Sequence, residues 1–234
     1  MKAASAALLS RLKTYLFPHG EEAARTVPAI RMIHRGELRA SMEAPWKPFA
    51  AEETVNTTES TFVWDATIGK GLASVHVTDA FERGRGRVVI HKGPLTLRRV
   101  TGPEADRGEL QRYLSYVSYC PPMIVNNPFL DFGAVGPNTL RITDRRYPQT
   151  TSVDLDLGDD GRPLTARAIR PMIIGSAFVP TEWSAAGREP LEWNHMRVCR
   201  YLEAAWHLPH GSFVYIRIKV VSQVVLASLV SDRG

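Results

Sequence analysis

Four acidic side chains, Asp154, Asp156, Asp159 and Asp160, crowd together at the density with which a calcium loop gathers oxygen ligands. Such a loop closes with a bidentate glutamate at its twelfth position, and Thr165 stands there, so the cluster reads as a solvated strand face followed by a turn. The histidines His19, His34, His76, His91, His195, His207 and His210 are scattered, with no pair at the spacing of a helical zinc site. Cys120 and Cys199 fit no zinc-knuckle spacing and are expected to be free thiols. No metal and no cofactor are therefore expected. Gly84-Arg85-Gly86 lacks the third glycine and the following helix of a dinucleotide fingerprint and reads as a turn, and no nucleophile elbow or Walker loop occurs. Arg83, Arg85 and Arg87 could present a basic stripe to phosphate, but Glu82, Glu104, Asp106 and Glu109 dilute its field.

The aromatic residues say more. Trp46, Trp64, Trp183, Trp193 and Trp206 are large amphipathic surfaces, and Tyr113, Tyr116 and Tyr119 fall within one helix and its exit. Tyr113 lies on that helix's apolar stripe and is assigned to packing. Tyr116 flanks the stripe and Tyr119 lies beyond the helix, so their hydroxyls are free to line a pocket. A curved sheet that leaves a cavity beside a helix would suit an apolar ligand walled by such rings.

The elements that must position these residues are mostly strands. The chain has 234 residues, 44% hydrophobic and 23% charged, with a net charge of +5, enough apolar content for a folded core and too mild a charge excess to indicate a nucleic-acid partner. Leu8, Leu9, Leu12, Tyr15 and Leu16 recur at helical spacing and predict a short helix over 4–17, ended by Pro18, His19 and Gly20. β-Branched and aromatic runs predict strands over 29–34, 37–43, 48–55, 61–68, 73–81, 86–92 and 95–101. One internal helix is predicted over 106–117 from Leu110, Tyr113, Leu114 and Val117, and Pro121 and Pro122 end it. Further strands are expected at 139–144, 153–157, 163–170, 196–204 and 212–225. Strands in succession without intervening helices argue for antiparallel pairing and against a parallel α/β sheet.

The strings Phe62-Val63-Trp64-Asp65-Ala66, Asp79-Ala80-Phe81, Gly84-x-Gly86, Gly102-Pro103-Glu104, Glu109-Leu110-x-Arg112-Tyr113-Leu114, Pro121 and Asn127-Pro128 occur in order. Arg170, Trp183, Trp206 and the stretch from Gly211 to Arg217 continue the pattern. Over roughly 28–225 the chain thus resembles a bacterial domain family of unknown function whose outline is similar to lipoprotein-carrier open barrels. The resemblance implies a strongly curved antiparallel sheet embracing a helix, and no activity. It also marks Tyr116 as standing where an acidic residue is usual, and Tyr119 where a tryptophan is usual.

The expectation is an α+β fold, mainly antiparallel β: an open barrel or half-barrel embracing one helix, with residues 1–20 as N-terminal helix and linker and 21–234 as a single domain. The expected function is binding of a lipophilic small molecule, walled by Trp64, Tyr116, Tyr119, Trp183, Trp206 and Tyr215. The alternative is a cofactor-independent cyclase or isomerase of natural product biosynthesis, folding a polyketide-like or terpenoid-like substrate, with Tyr116, Tyr119, Asp65 or Asp79 as candidates to donate to or accept from a developing charge. Whether any reaction is catalysed stays open. No stretch reaches the roughly 20 apolar residues of a membrane span, and the run Ala3 to Ser10, broken by Arg11 and Lys13, lacks a cleavage site, so a cytoplasmic location is expected. No nucleic acid is expected as a partner, and the sequence leaves room for a homodimer.

Overall fold

Alternation decides the strands. In β2 (Lys47–Asn56) and β3 (Thr61–Ile68) every second side chain is buried, the signature of a sheet with one face turned to a core. The computed structural model describes residues 2–148, 150–175 and 177–227. Among these, thirteen strands form one antiparallel sheet. Besides β2 and β3 they are β1 (Ala29–Leu38), β4 (Val75–Glu82), β5 (Arg85–Lys92), β6 (Leu95–Val100), β7 (Leu130–Gly136), β8 (Thr139–Asp144), β9 (Ser152–Leu157), β10 (Pro163–Ile174), β11 (Ala177–Trp193), β12 (Met196–Leu208) and β13 (Gly211–Leu226). The order is β6-β5-β4-β3-β2-β1-β13-β12-β11-β10-β9-β8-β7, so the last strand closes onto the first and sequence neighbours pair almost everywhere else.

The helices are α1 (Lys2–Leu16), α2 (Glu22–Arg25), α3 (Pro103–Leu114) and α4 (Pro122–Asn126). Helix α1 inserts Leu8, Leu12 and Leu16 into the main core, and Arg11 reaches the Asn138 side chain and the Gly158 carbonyl. Burying a leucine is worth about 1.5–3 kcal/mol, enough to dock a short helix. Helix α3 lies in the embrace of the sheet, against β4, β5 and β10. It meets β5 so closely that a Cβ on Gly86 would fall 2.2 Å from the Ala105 carbonyl oxygen, and the Gly86 N–H donates to Asp106 Oδ1 at 2.7 Å.

The predicted curved antiparallel sheet around a helix is what forms. Several details differ. Residues 29–34 and 37–43 were expected as two strands; β1 is continuous to Leu38, because Gly36 approaches the Arg217 backbone within the pairing with β13, and 39–42 are non-strand. The helix expected over 106–117 starts earlier, with Pro103 in its first turn where a missing N–H costs nothing, and gives way to a 3-10 turn over Ser115–Ser118. Pro122 does not merely end a helix but opens α4. Strands β7 and β11 were not anticipated. Pro171 and Pro180, which argue against strands, stand opposite each other beyond the ends of the β9–β10 and β11–β12 ladders, where neither is asked for a hydrogen bond on its outer side.

Candidate ligand chamber

Successive strands place Glu53, Trp64, Asp79 and Val88 directly opposite one another on β2, β3, β4 and β5, so one row of side chains crosses the concave face. Helix α3 covers part of this face and turns Glu109 and Arg112 toward it. Between α3 and the strand ends that carry Leu38, Ile68, Ile90 and Ile173 lies a chamber of about 440 Å³. That volume is within the ordinary range for a small-molecule site.

Its floor is charged. Arg112 donates to Asp79 Oδ2 at 2.6 Å, to Glu53 Oε1 at 3.2 Å and to the Tyr116 hydroxyl at 2.7 Å. The Tyr116 hydroxyl in turn donates to Glu53 Oε1 at 2.6 Å, and the Tyr119 hydroxyl donates to Glu53 Oε2 at 3.3 Å. Glu53 is wholly buried, as its three partners allow. Burial opposes the charge of Arg112, but Tyr116, Glu53 and Asp79 outweigh it and hold the guanidinium well above its usual range. Burial pushes both phenols up, so they stay neutral donors. His34, on β1, lies 3.8 Å from Glu53 Oε2, and burial pulls its pKa down. Asp79 is raised by burial and held back by Arg112.

Glu109 differs from these. It is 7% exposed, its Oε2 has no hydrogen-bond partner, and burial followed by the Asp79 charge pushes its pKa up to about 7. Arg170, on β10, donates to the Gly108 carbonyl at 2.7 Å and stacks over Trp183 at 4.6 Å, leaving Nε without a partner.

The side walls are aromatic. Trp183 donates its indole N–H to the Tyr215 hydroxyl at 3.2 Å, and Trp206 stacks on Tyr215 with ring centroids 5.9 Å apart. Trp183 and Trp206 pair directly across β11 and β12.

All six residues expected to wall a pocket, Trp64, Tyr116, Tyr119, Trp183, Trp206 and Tyr215, line this chamber. Tyr113 is fully buried in the core, as its stripe position indicates. Of the four residues of the catalytic alternative, Asp79, Tyr116 and Tyr119 are here: both hydroxyls and Asp79 Oδ2 are engaged by Glu53 and Arg112, and Asp79 Oδ1 is buried without a partner. Asp65 is not: the pleat sends it away from its neighbour Trp64, to hydrogen-bond with Thr78 at 2.6 Å beside His76. The sequence reading missed Glu53 and His34, and it gave no role to Glu109, Arg112 or Arg170. Gly108, Glu109, Arg112 and Tyr116 recur at helical spacing beside the apolar stripe, and that polar stripe was the available signal.

Solved structures to which the chain is similar include the following three. One is a domain described as an outer membrane lipoprotein-sorting protein from Vibrio parahaemolyticus, at 10% identity and TM-score 0.50, covering 98% of this chain and 95% of that one. Another is a DUF1329 family protein from Desulfovibrio piger, at 11% identity and TM-score 0.50, covering 96% and 92%. The third is a LolA superfamily protein from Nitrosomonas europaea, at 9% identity and TM-score 0.49, covering 95% and 93%. At such identities the likeness concerns the fold. No curated protein matches the sequence. The family model for DUF6544, a family of unknown function, matches residues 4–218, and the chain belongs to that family.

Proposed function

We propose that the protein binds a lipophilic small molecule in the chamber. The observation that carries this reading is a cavity of about 440 Å³ whose wall is mainly aliphatic and aromatic, Leu38, Ile68, Ile90, Phe178, Trp183 and Trp206 among them, continuous with the core of the sheet. An apolar surface left open to water is unfavourable by about 25 cal/mol per Å², and a hydrocarbon occupant removes that cost. The likeness of the fold to a domain described as sorting lipoproteins is consistent with a lipophilic occupant. Cyclisation or isomerisation gains no observation of its own.

Native mass spectrometry of the protein, incubated with a long-chain alcohol and desalted, tests the reading. One molecule retained per chain is the expected outcome. Spectra showing only the bare chain across alcohols of increasing length would overturn it.

A further inference from the structure

Glu109 is the carboxyl that the floor leaves unsatisfied. It makes no hydrogen bond or ion pair with any described residue, and Asp79 likewise has one oxygen, Oδ1, buried without a partner. The charges around them do not balance. Glu53, Asp79 and Glu109 face the two guanidiniums of Arg112 and Arg170, so the fully ionised floor is short of one positive charge. Arg112 is committed to Glu53 and Asp79. Arg170 donates to the Gly108 carbonyl and lies over the Trp183 ring, with Nε buried and unpartnered, and makes no ion pair with a described carboxylate. Toward the mouth, Arg39 is held by the carbonyls of Val214 and Met42, and Glu203 is paired with Arg217. Glu104, on α3, lies 3.7 Å from Arg107. None of these supplies the missing charge. A pure hydrocarbon would leave the floor as it is, and an acid would add a second unmatched negative group beside Asp79 and Glu109.

Resting on the lipophilic reading above, we infer that the chamber takes a lipophilic amine. Its ammonium group sits on Glu109 and Asp79, and its hydrocarbon part lies along the apolar belt of Leu38, Ile68, Ile90 and Phe178. The ammonium supplies donors and the one positive charge that the floor lacks.

The titration of Glu109 gives the pairing a pH signature. Its pKa of about 7 is raised by burial, Asp79 and Glu53 and restrained by Arg112 and Arg170; His34, Tyr116 and Tyr119 lie behind them around Glu53. A bound ammonium favours the carboxylate, so binding near neutrality releases a proton. An alkylamine itself stays protonated throughout this range, having a pKa near that of lysine, roughly 10.4.

Dodecylamine, dodecanol and dodecanoate, each below its micellar concentration, are titrated against tryptophan emission at about pH 6 and about pH 8. The wild-type chain is expected to bind the amine about tenfold more tightly than the alcohol at the higher pH, with a smaller preference at the lower, where Glu109 is mostly protonated. In Glu109→Gln the ratio of amine to alcohol affinity falls to about one at both. Calorimetry of the wild-type chain in two buffers of different ionisation enthalpy reads the released proton without any variant. Equal affinity for amine and alcohol, tightest binding of dodecanoate, a preference that survives in Glu109→Gln, or no proton release would overturn this inference and leave the lipophilic reading standing. Failure of all three probes to bind would overturn both.

Discussion

Glu53 is fully buried and shares its two oxygens among Arg112, Tyr116 and Tyr119, so the hydroxyls at the end of α3 work for the floor before they work for any ligand. Tyr116→Phe removes both a donor to Glu53 and an acceptor for Arg112, and should lower stability by about 1–3 kcal/mol in thermal or denaturant melts. Tyr119→Phe removes one long hydrogen bond and should cost about 0.5–1.5 kcal/mol. An equal or reversed order would show that the network around Glu53 is drawn wrongly. Glu109 gives a stability signature of opposite sign to an ordinary paired carboxylate. Its folded pKa, about 7, is above the ordinary glutamate value of 4.5, so between these values the folded chain holds a proton that the unfolded chain has lost. Its contribution therefore declines as pH rises through that window and is level above it, by about 3 kcal/mol at most. Melts of wild type against Glu109→Gln across this window should diverge, the variant gaining relative stability toward high pH; parallel curves would contradict the assignment. Of these residues the sequence revealed the tyrosines, Tyr116 through its place beside the stripe and Tyr119 through its place just past the helix. Glu53 was hidden because Glu52 precedes it: with two glutamates adjacent in a strand, only register tells which one faces in, and register depends on partners far along the chain.

Helix α3 is positioned by close backbone approach more than by side-chain bulk. Gly86 has no room for a Cβ beside Ala105, and its N–H is bonded to Asp106. Gly86→Ala should therefore lift α3 off β5 and cost about 1–3 kcal/mol, visible as a lower melting temperature together with weaker ligand binding. An unchanged melt would mean that α3 tolerates a shifted seat. The element boundaries that were legible are those with local chemistry. Arg83 and Gly84, both at positive φ, form the tight turn between β4 and β5, so the turn read at Gly84-Arg85-Gly86 falls one residue earlier and Arg85 and Gly86 already belong to β5, while Gly161 lies in the turn read between β9 and β10. The long strand β11 was not legible, since Pro180, Gly187 and Pro190 interrupt any alternation. Its order comes from pairing with β10 and β12 on both sides, and its return through Asn194 and His195, at positive φ in both residues, uses a turn signal that was overlooked.

At the scale of the whole molecule, the sheet curls until β6, at one edge, meets the β10–β11 hairpin, where Arg98 donates to the Gly175 carbonyl. Curvature of this degree follows from right-handed twist accumulated over many strands, and the succession of short strands made it legible from sequence. Whether the space inside would be filled or hollow was not legible, because it depends on where α3 stops covering the concave face. Ala185 and Ala204 pair across β11 and β12 on the chamber wall, one step from Trp183 and Trp206, and their small side chains help keep that space open. This makes the most direct test of the central claim a comparison between wild type and Ala185→Trp, which fills the chamber from within and leaves the outer surface unchanged. Titration with a brominated long-chain alcohol, whose bromine quenches indole emission on contact, should show saturable quenching in the wild type at one equivalent, through Trp64, Trp183 and Trp206, and none that saturates in the variant. Quenching of the same affinity and stoichiometry in both proteins would place the ligand outside the chamber and contradict the account.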